Sequence, residues 1–494
     1  MKLFFFVSML VIGMQARSQR LVLPGDNPDP SVVKIGDRYW ASATTSNWAP
    51  VFPILSSTDL LNWKDEGHVF MKVPEWADYY FWAPEITYDN GRVYIYYSAH
   101  KKGGNLCVAV ASADRPEGPY RDHGPLVCEE VGSIDAFPIR DESGKLYLIW
   151  KEDANSVGKP TPIWIQEMNE ERTALLGQKK EIMRNDAAWE ANLVEGVSIR
   201  KHGDYYYAFY AAAGCCGAAC TYGVGVARAK SPLGPWEKYG RNPVLTNTKE
   251  WTCPGHGTPV EKDGRFYFLY HGYDKAESIF TGRQGLLIEY KVTSDGWIEF
   301  VPEPAAARTP APNISDEFSS GPLGPQWQWS VFDRPEYKIK GNRLHLEASS
   351  RPAGTFVGTK AQFSSYIFQT EVKVPRRSTK AGLSLIGDDN NLITLWYGKD
   401  SLSLTLLKDG KETTVRSMAA PKGKRLHLQA VVTENKDLRF LYSTDGRTFV
   451  PVTEGKIDAG YLPPWDRALR AGLSAKGRKK AVFERFTMTN NRTK

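Results

Sequence analysis

A chain of 494 residues exceeds one typical domain and has room for roughly two to four, each able to bury a core of its own. The net charge of +7 comes from 63 basic and 56 acidic residues spread along the chain, with only small clusters such as "KGRKK". No nucleic-acid-binding module accompanies them, which excludes nucleic acid as a partner class. Aromatic residues make up 12% of the chain, including 15 tryptophans, and suit flat faces that stack on sugars as well as strands and cores.

The start, "MKLFFFVSMLVIGMQARSQ", has one lysine, an apolar run, and then small and polar residues. This pattern reads as a secretory signal over residues 1–19, with cleavage near Ser18 or Gln19, rather than as a buried first strand or helix. No cysteine follows the run, so a lipid anchor is not expected there. No later segment approaches the roughly 18 apolar residues of a membrane helix, so the expectation is a secreted or periplasmic protein without a membrane span.

From residue 20 to 303 one pattern recurs: a glycine turn, an alternating aromatic strand, and further short strands separated by Pro/Gly turns. It appears as "IGDRYWASATT", "DNGRVYIYYSAH", "ESGKLYLIWKE", "HGDYYYAFYAA" and "KDGRFYFLYHGY". The turn glycines Gly36, Gly91, Gly144, Gly203 and Gly264 are 53 to 61 residues apart. Repetition at such a period, with strand alternation and almost no helical periodicity, predicts an all-β fold in which a five-bladed β-propeller comes first. A tandem of sandwiches is the alternative, but sandwiches do not require such a repeat.

Residues 304–313, within "VPEPAAARTPAPN", read as a Pro/Ala-rich linker, after which the repeat stops. Short alternating strands such as "YIFQTEVKV", "SLSLTLLKDG" and "RLHLQAVV" then predict a β-sandwich over 314–494. Six cysteines in an exported chain permit disulfides. Cys215, Cys216, Cys220 and Cys253 lie in loops that could meet; a disulfide and free buried thiols both stay open for them, whereas their spacing matches no standard zinc pattern.

In a propeller the first strand of each blade lies against the central axis. Six to nine residues before the five turn glycines stand Asp29, Glu85, Asp135, Glu195 and His256. Each repeat thus contributes one ionisable group, set among apolar or small neighbours, at nearly the same inner-strand position. One such acid alone would more often cap a turn, but five in register point to a site where each shifts the others' pKa. Opposed carboxyl groups without an evident metal suit glycosidic cleavage, in which one acid protonates the leaving oxygen and another activates water or attacks carbon.

At these residues the sequence resembles glycoside hydrolase family 43, through "NPDPSV", "FWAPEI", "IDAFPIRDESGKLYLIW", "EGVSIRKHGDYYYAFYAA", "CPGHGTPV" and "GRQGLLIEY" in that order. The resemblance implies a five-bladed propeller that works with inversion, with Asp29 as general base, Glu195 as general acid and Asp135 as the residue that tunes and orients the acid. It further implies sugar-subsite roles for Trp82 and Glu85, a pocket role for Arg283, and a place for His256 at the channel axis. In some relatives that histidine sits beside a calcium ion through water, so calcium is a candidate and no cofactor is required. The C-terminal part resembles the concanavalin-like sandwich of family members that act as β-xylosidases, whose loop can help close the pocket.

Two features depart from the family pattern: Val197 after Gly196, and the "GCCGAAC" loop, which bears on substrate choice. The expectation is an exo-acting, inverting β-D-xylosidase or α-L-arabinofuranosidase on plant polysaccharide fragments. An endo-acting arabinanase is the alternative within the family. Retaining sucrose or fructan hydrolases share blades and acids but differ in motif, and a non-catalytic glycan-binding propeller is the alternative outside enzymes. Nothing in the sequence fixes the oligomeric state.

Overall fold

The computed structural model describes residues 17–301, 303–304 and 312–491. Most of the expected secretory signal (1–16) and of the expected linker (305–311) lies outside the described residues. Among the described residues the fold is all-β, and its only helices are four short 3-10 turns.

Residues 20–301 form five sheets whose cores are four antiparallel strands. In each, the strand that precedes the repeated glycine turn lies at one edge: Ser31–Ile35, Trp82–Asp89, Ser133–Arg140, Val194–His202 and Trp251–Lys262. These five inner strands pack each on the next, and the fifth returns to the first. The turn glycines all have positive φ, between 56° and 83°, and a Cβ at any of them would meet nothing within 4 Å. Backbone conformation, and not space, therefore selects glycine in these tight hairpins.

The outer edge of the fifth sheet is built differently from the others. Its fourth strand is Arg20–Leu23, from the start of this region, paired with Gln284–Val292. The two ends of the ring are thereby joined by backbone hydrogen bonds, which a repeat-by-repeat reading of the sequence does not reveal.

Residues 314–490 form a nine-stranded and a six-stranded sheet facing each other across one apolar core. Tyr366–Lys373, "YIFQTEVK", alternates strictly between buried and half-buried positions, so every second side chain enters that core. Its Phe368 and Val372 share that core with residues of the opposite sheet such as Leu383 and Leu395, all fully buried.

Polar anchors tie the two parts together. Trp329–Ser330 pairs as a short strand with Trp48–Ala49. Buried Arg470, held inside the sandwich part by Gln328 Oε1 at 2.7 Å, reaches across to Asp26 Oδ2 at 3.2 Å. Lys360 Nζ donates to Asn27 Oδ1 at 2.6 Å. These contacts fall beside Asp29, so the second part is fastened where the inner strands end.

Candidate active site

A cavity of about 460 Å³ opens at the end of the inner strands and is lined by Asp29, Trp82, Asp135, Glu195, His256 and Arg283. Local backbone geometry aims these side chains. Asp29, Asp135 and His256 have φ of 49°, 59° and 33°, and Gly196, next to Glu195, has φ of 61°. In the sheets that hold Asp135, Glu195 and His256 the ladder register slips at that point, so each lies at or beside a bulge. Bulges and left-handed residues re-aim side chains, and they recur beside sites because the surrounding structure must hold the strain.

Asp29 is held from every side. Its Oδ1 accepts from Arg283 Nη1 at 2.8 Å, its Oδ2 accepts from Thr44 Oγ1 at 2.7 Å, and its backbone N–H donates to His271 Nδ1 at 3.1 Å. Burial alone would raise its pKa, but the Arg283 guanidinium more than offsets that and holds the carboxyl well below the usual range. Burial and Arg283 together push His271 down to about 4, so its ring is neutral at physiological pH. With Nδ1 accepting from Asp29, the ring proton is on Nε2, which is buried without a partner among the described residues.

Asp135 Oδ2 accepts from the Gly196 N–H at 2.9 Å. His256 Nδ1 lies 3.7 Å from Asp29 Oδ1 and 3.8 Å from Asp135 Oδ2, placing the imidazole between the two acids. Burial pushes Asp135 up to about 6, against the lowering effect of His256 and with the Glu195 charge adding to the rise.

Glu195 has both oxygens occupied: Oε2 accepts from Lys151 Nζ at 2.5 Å and Oε1 from Tyr222 Oη at 2.7 Å. Burial would raise its pKa, but the Lys151 ammonium more than offsets that and holds it below its ordinary value. Lys151 is only 1% exposed; burial opposes its charge, while Glu195 and Asp153 push its pKa up to about 12. The two carboxyl groups are therefore divided, with Glu195 as carboxylate and Asp135 as the one that keeps a proton longest.

One expected subsite residue lies elsewhere. Glu85 does not line the cavity; the inner-strand position equivalent to Asp29, Asp135 and His256 is taken in the second sheet by Ala83, with φ of 46°. Glu85 is two residues further along the strand, in a buried layer beneath the cavity with Ser31, Ser198 and Thr258. Its Oε2 accepts from Thr258 Oγ1 at 3.1 Å, and burial raises its pKa to about 8.

Trp82 does line the cavity. It stacks on Tyr80 with ring centroids 4.3 Å apart and donates from Nε1 to Ser46 Oγ at 3.1 Å. Trp465, from the sandwich and 55% exposed, meets Trp82 edge-on at 5.9 Å. The next residue, Asp466, accepts from Ser46 Oγ through its side chain and from Arg283 Nη2 through its carbonyl, at 3.3 Å for the latter. A sandwich loop thus supplies one wall and touches the arginine that grips Asp29.

Sequence reasoning missed Lys151, Tyr222, Thr44, His271, Trp465 and Asp466. Of these, Lys151 carried a signal, because a lysine closing the apolar run "LYLIWK" is unusual in a buried strand.

A calcium ion beside His256 takes six to eight oxygen ligands and would have to be held largely through water, as the family resemblance implies. The Asp29 and Asp135 oxygens nearest the ring already accept from Arg283 and Gly196, and no group of three or more potential ligands is placed together among the described residues. All six cysteines are paired, as Cys107–Cys128, Cys215–Cys216 and Cys220–Cys253. The last pair joins the two cysteine loops that the sequence suggested could meet; the first joins two residues outside that group.

Comparison with known proteins decides the family. The sequence profile of glycosyl hydrolases family 43 matches residues 18–298. The chain belongs to that family. Residues 315–465 match the β-xylosidase C-terminal concanavalin A-like domain, so this family 43 protein carries that domain after its family 43 region. It is 29% identical to a xylan 1,3-β-xylosidase from a Vibrio species over 336 residues, an alignment that spans 61% of each chain. It is 25% identical to a non-reducing end α-L-arabinofuranosidase of Bacteroides ovatus over 75% of this chain and 74% of that one. The solved structure of the family 43 protein BlXynB from Bacillus licheniformis shares its fold, with a TM-score of 0.81, 24% identity, and coverage of 96% of this chain and 100% of that one.

Proposed function

We propose that this family 43 protein is an exported, exo-acting, inverting glycosidase that releases terminal xylosyl or arabinofuranosyl residues from plant polysaccharide fragments, using a five-bladed propeller as its catalytic scaffold. The observation that carries the reading is the division of labour in one cavity: Asp29 is locked as an anion by Arg283, while Asp135 and Glu195 hold or release a second proton between them. Inverting hydrolysis needs an ionised base to activate water and a protonated acid for the leaving oxygen. The closed circle of five inner strands supports the propeller. The apolar amino terminus and the full pairing of six cysteines support export. The names of the two curated relatives support a pentose as the sugar released.

In this reading Asp29 accepts a proton from water as it attacks the anomeric carbon. Glu195 delivers a proton to the leaving oxygen, and Asp135 keeps that proton available. Lys151 holds Glu195 ionised, so substrate binding must weaken that hold and let Glu195 take up the proton it delivers. Lowering of Glu195 and raising of Asp135 belong to one coupled pair, and activity follows the pair's titration.

The test is hydrolysis of nitrophenyl β-xyloside and nitrophenyl α-arabinofuranoside, with the anomer of the first product read by NMR. Release of one pentose with inverted configuration is expected from the wild type, and loss of turnover from Glu195→Gln. Retained configuration would overturn the mechanism. A wild type as inert as Glu195→Gln on these glycosides and on xylan and arabinan oligosaccharides would overturn the enzymatic reading.

A further inference from the structure

Between the second and third strands of the fourth sheet lies the "GCCGAAC" loop, which the chemistry of the three acids does not require. The loop is pinned at three places. Gly214 N donates to Thr221 Oγ1 at 3.0 Å, Gly217 N donates to Tyr273 Oη at 3.1 Å, and Cys220 is bonded to the fully buried Cys253 of the fifth inner strand. Between those pins the neighbouring residues Cys215 and Cys216 are joined by their own disulfide, and both face the cavity that holds the acids.

Their position within the cavity is specific. Cys215 Sγ lies 3.8 Å from Arg283 Nη1, the nitrogen that donates to Asp29. On the other side the loop abuts the sandwich: a Cβ added at Gly217 would stand 3.5 Å from the Trp465 carbonyl oxygen. The disulfide therefore fills the wall between the arginine at the reacting end and the tryptophan at the mouth. Because the loop is already fastened by Cys220–Cys253 and Tyr273, a second bond is not needed to hold it in place.

We propose that the Cys215–Cys216 disulfide is a binding surface for the C–H face of the pentose ring and thereby a determinant of sugar specificity, a role that rests on the glycosidase reading above. A disulfide has no N–H or O–H donor to satisfy. Its sulfurs are polarisable and make favourable contact with apolar surface. A pentose offers one edge of hydroxyl groups and one face of C–H groups, and the cavity divides in the same way. The acids, Lys151 and Arg283 supply charged hydrogen-bonding partners, while the disulfide and Trp82 supply apolar surfaces. Two free thiols would rotate independently, whereas the bond between adjacent residues fixes both sulfurs in one small ring.

The test uses the full chain in three measurements. Alkylation and peptide mapping without reductant should leave Cys215 and Cys216 unmodified; free thiols there would overturn the proposal. Reduction of wild type by a phosphine should be slower at Cys215–Cys216 when the pentose that the enzyme releases is present, while Cys107–Cys128 reduces at an unchanged rate. Equal rates with and without sugar would overturn it. The double variant Cys215→Ala/Cys216→Ala should raise KM about tenfold, the scale of one lost apolar contact in a sugar-sized pocket, with kcat changed much less. An unchanged KM would overturn it, and if the variant does not fold, the protection measurement on wild type decides alone. A wild type that releases no pentose overturns the reading of the site itself, an outcome distinct from an active enzyme whose disulfide is indifferent to sugar.

Discussion

Lys151 and Glu195 form a buried ion pair at the centre of the cavity, with Nζ 2.5 Å from Oε2. The ammonium holds low the pKa of the carboxyl to which a proton-donating role is proposed. Replacing Lys151 by Met removes a cation that favours the Glu195 carboxylate, so the Glu195 pKa must rise. Activity needs the acid protonated and falls as pH climbs through its pKa, so the alkaline limb of kcat/KM should move to higher pH in Lys151→Met, by roughly one unit or more. In the wild type the limb belongs to the Asp135–Glu195 pair as a whole, in which burial raises Asp135 and Lys151 lowers Glu195. A pH profile of both proteins checks this; a limb that stays in place would remove Glu195 from the proton-donating role.

Asp29→Asn should lower kcat by about 10²- to 10⁴-fold, the usual contribution of a general base. The structure adds a second consequence. Asp29 is the carboxylate partner of buried Arg283, and Asn leaves that guanidinium with only the weaker pull of Asp26 and Asp466. Removing one member of a buried pair costs on the order of 3–5 kcal/mol, so the variant should also unfold at lower temperature. Thermal unfolding followed by circular dichroism, beside kinetics, separates the two effects. Arg283→Met combined with Asp29→Asn should recover part of the lost stability and none of the activity.

The inner-strand acids were legible because the repeat carries them at a nearly constant distance from a turn glycine. That count misplaced Glu85, because it varies between six and nine residues and a shift of two leaves a strand residue on the same face but one layer deeper. Ala83 has no ionisable group to draw attention to the true position. The residues that set the charge states were harder to see. Lys151 and His271 come from second strands, Thr44 and Tyr222 follow such strands, and Trp465 comes from the sandwich more than 250 residues beyond Glu195, so each reaches the site through pairings that no local pattern encodes. The N-terminal strand that completes the fifth sheet was invisible for the same reason.

Removal of residues 314–494 should damage the site and not merely shorten the chain. The deletion takes away Trp465 from the cavity mouth and Asp466 from Arg283, and it strips Asp26 of Arg470. Expected outcomes are poor solubility and a KM raised on any remaining activity. A milder probe is Arg470→Met, which leaves the sandwich in place but exposes the buried Asp26 carboxylate to an apolar neighbour. That variant should lose about 3 kcal/mol or more of stability in denaturant titration. Kinetics and solubility of the truncated protein equal to wild type would show that the sandwich is a passive appendage.

Glu85 makes a prediction about stability and pH that is independent of catalysis. Burial raises its pKa from 4.5 to about 8, so the folded protein keeps this proton while the unfolded chain has already lost it. Between those two values the folded state binds one proton more, and stability must fall as pH rises; above about 8 the loss is complete. The total is on the order of a few kcal/mol for one fully buried carboxyl. Glu85→Gln keeps an oxygen to accept from Thr258 and cannot ionise, so it should gain on wild type steadily between pH 5 and 8 and hold that advantage beyond. Unfolding temperatures of the two proteins across this range test it: parallel curves would mean that Glu85 titrates as an ordinary carboxyl and that the layer beneath the cavity is wet.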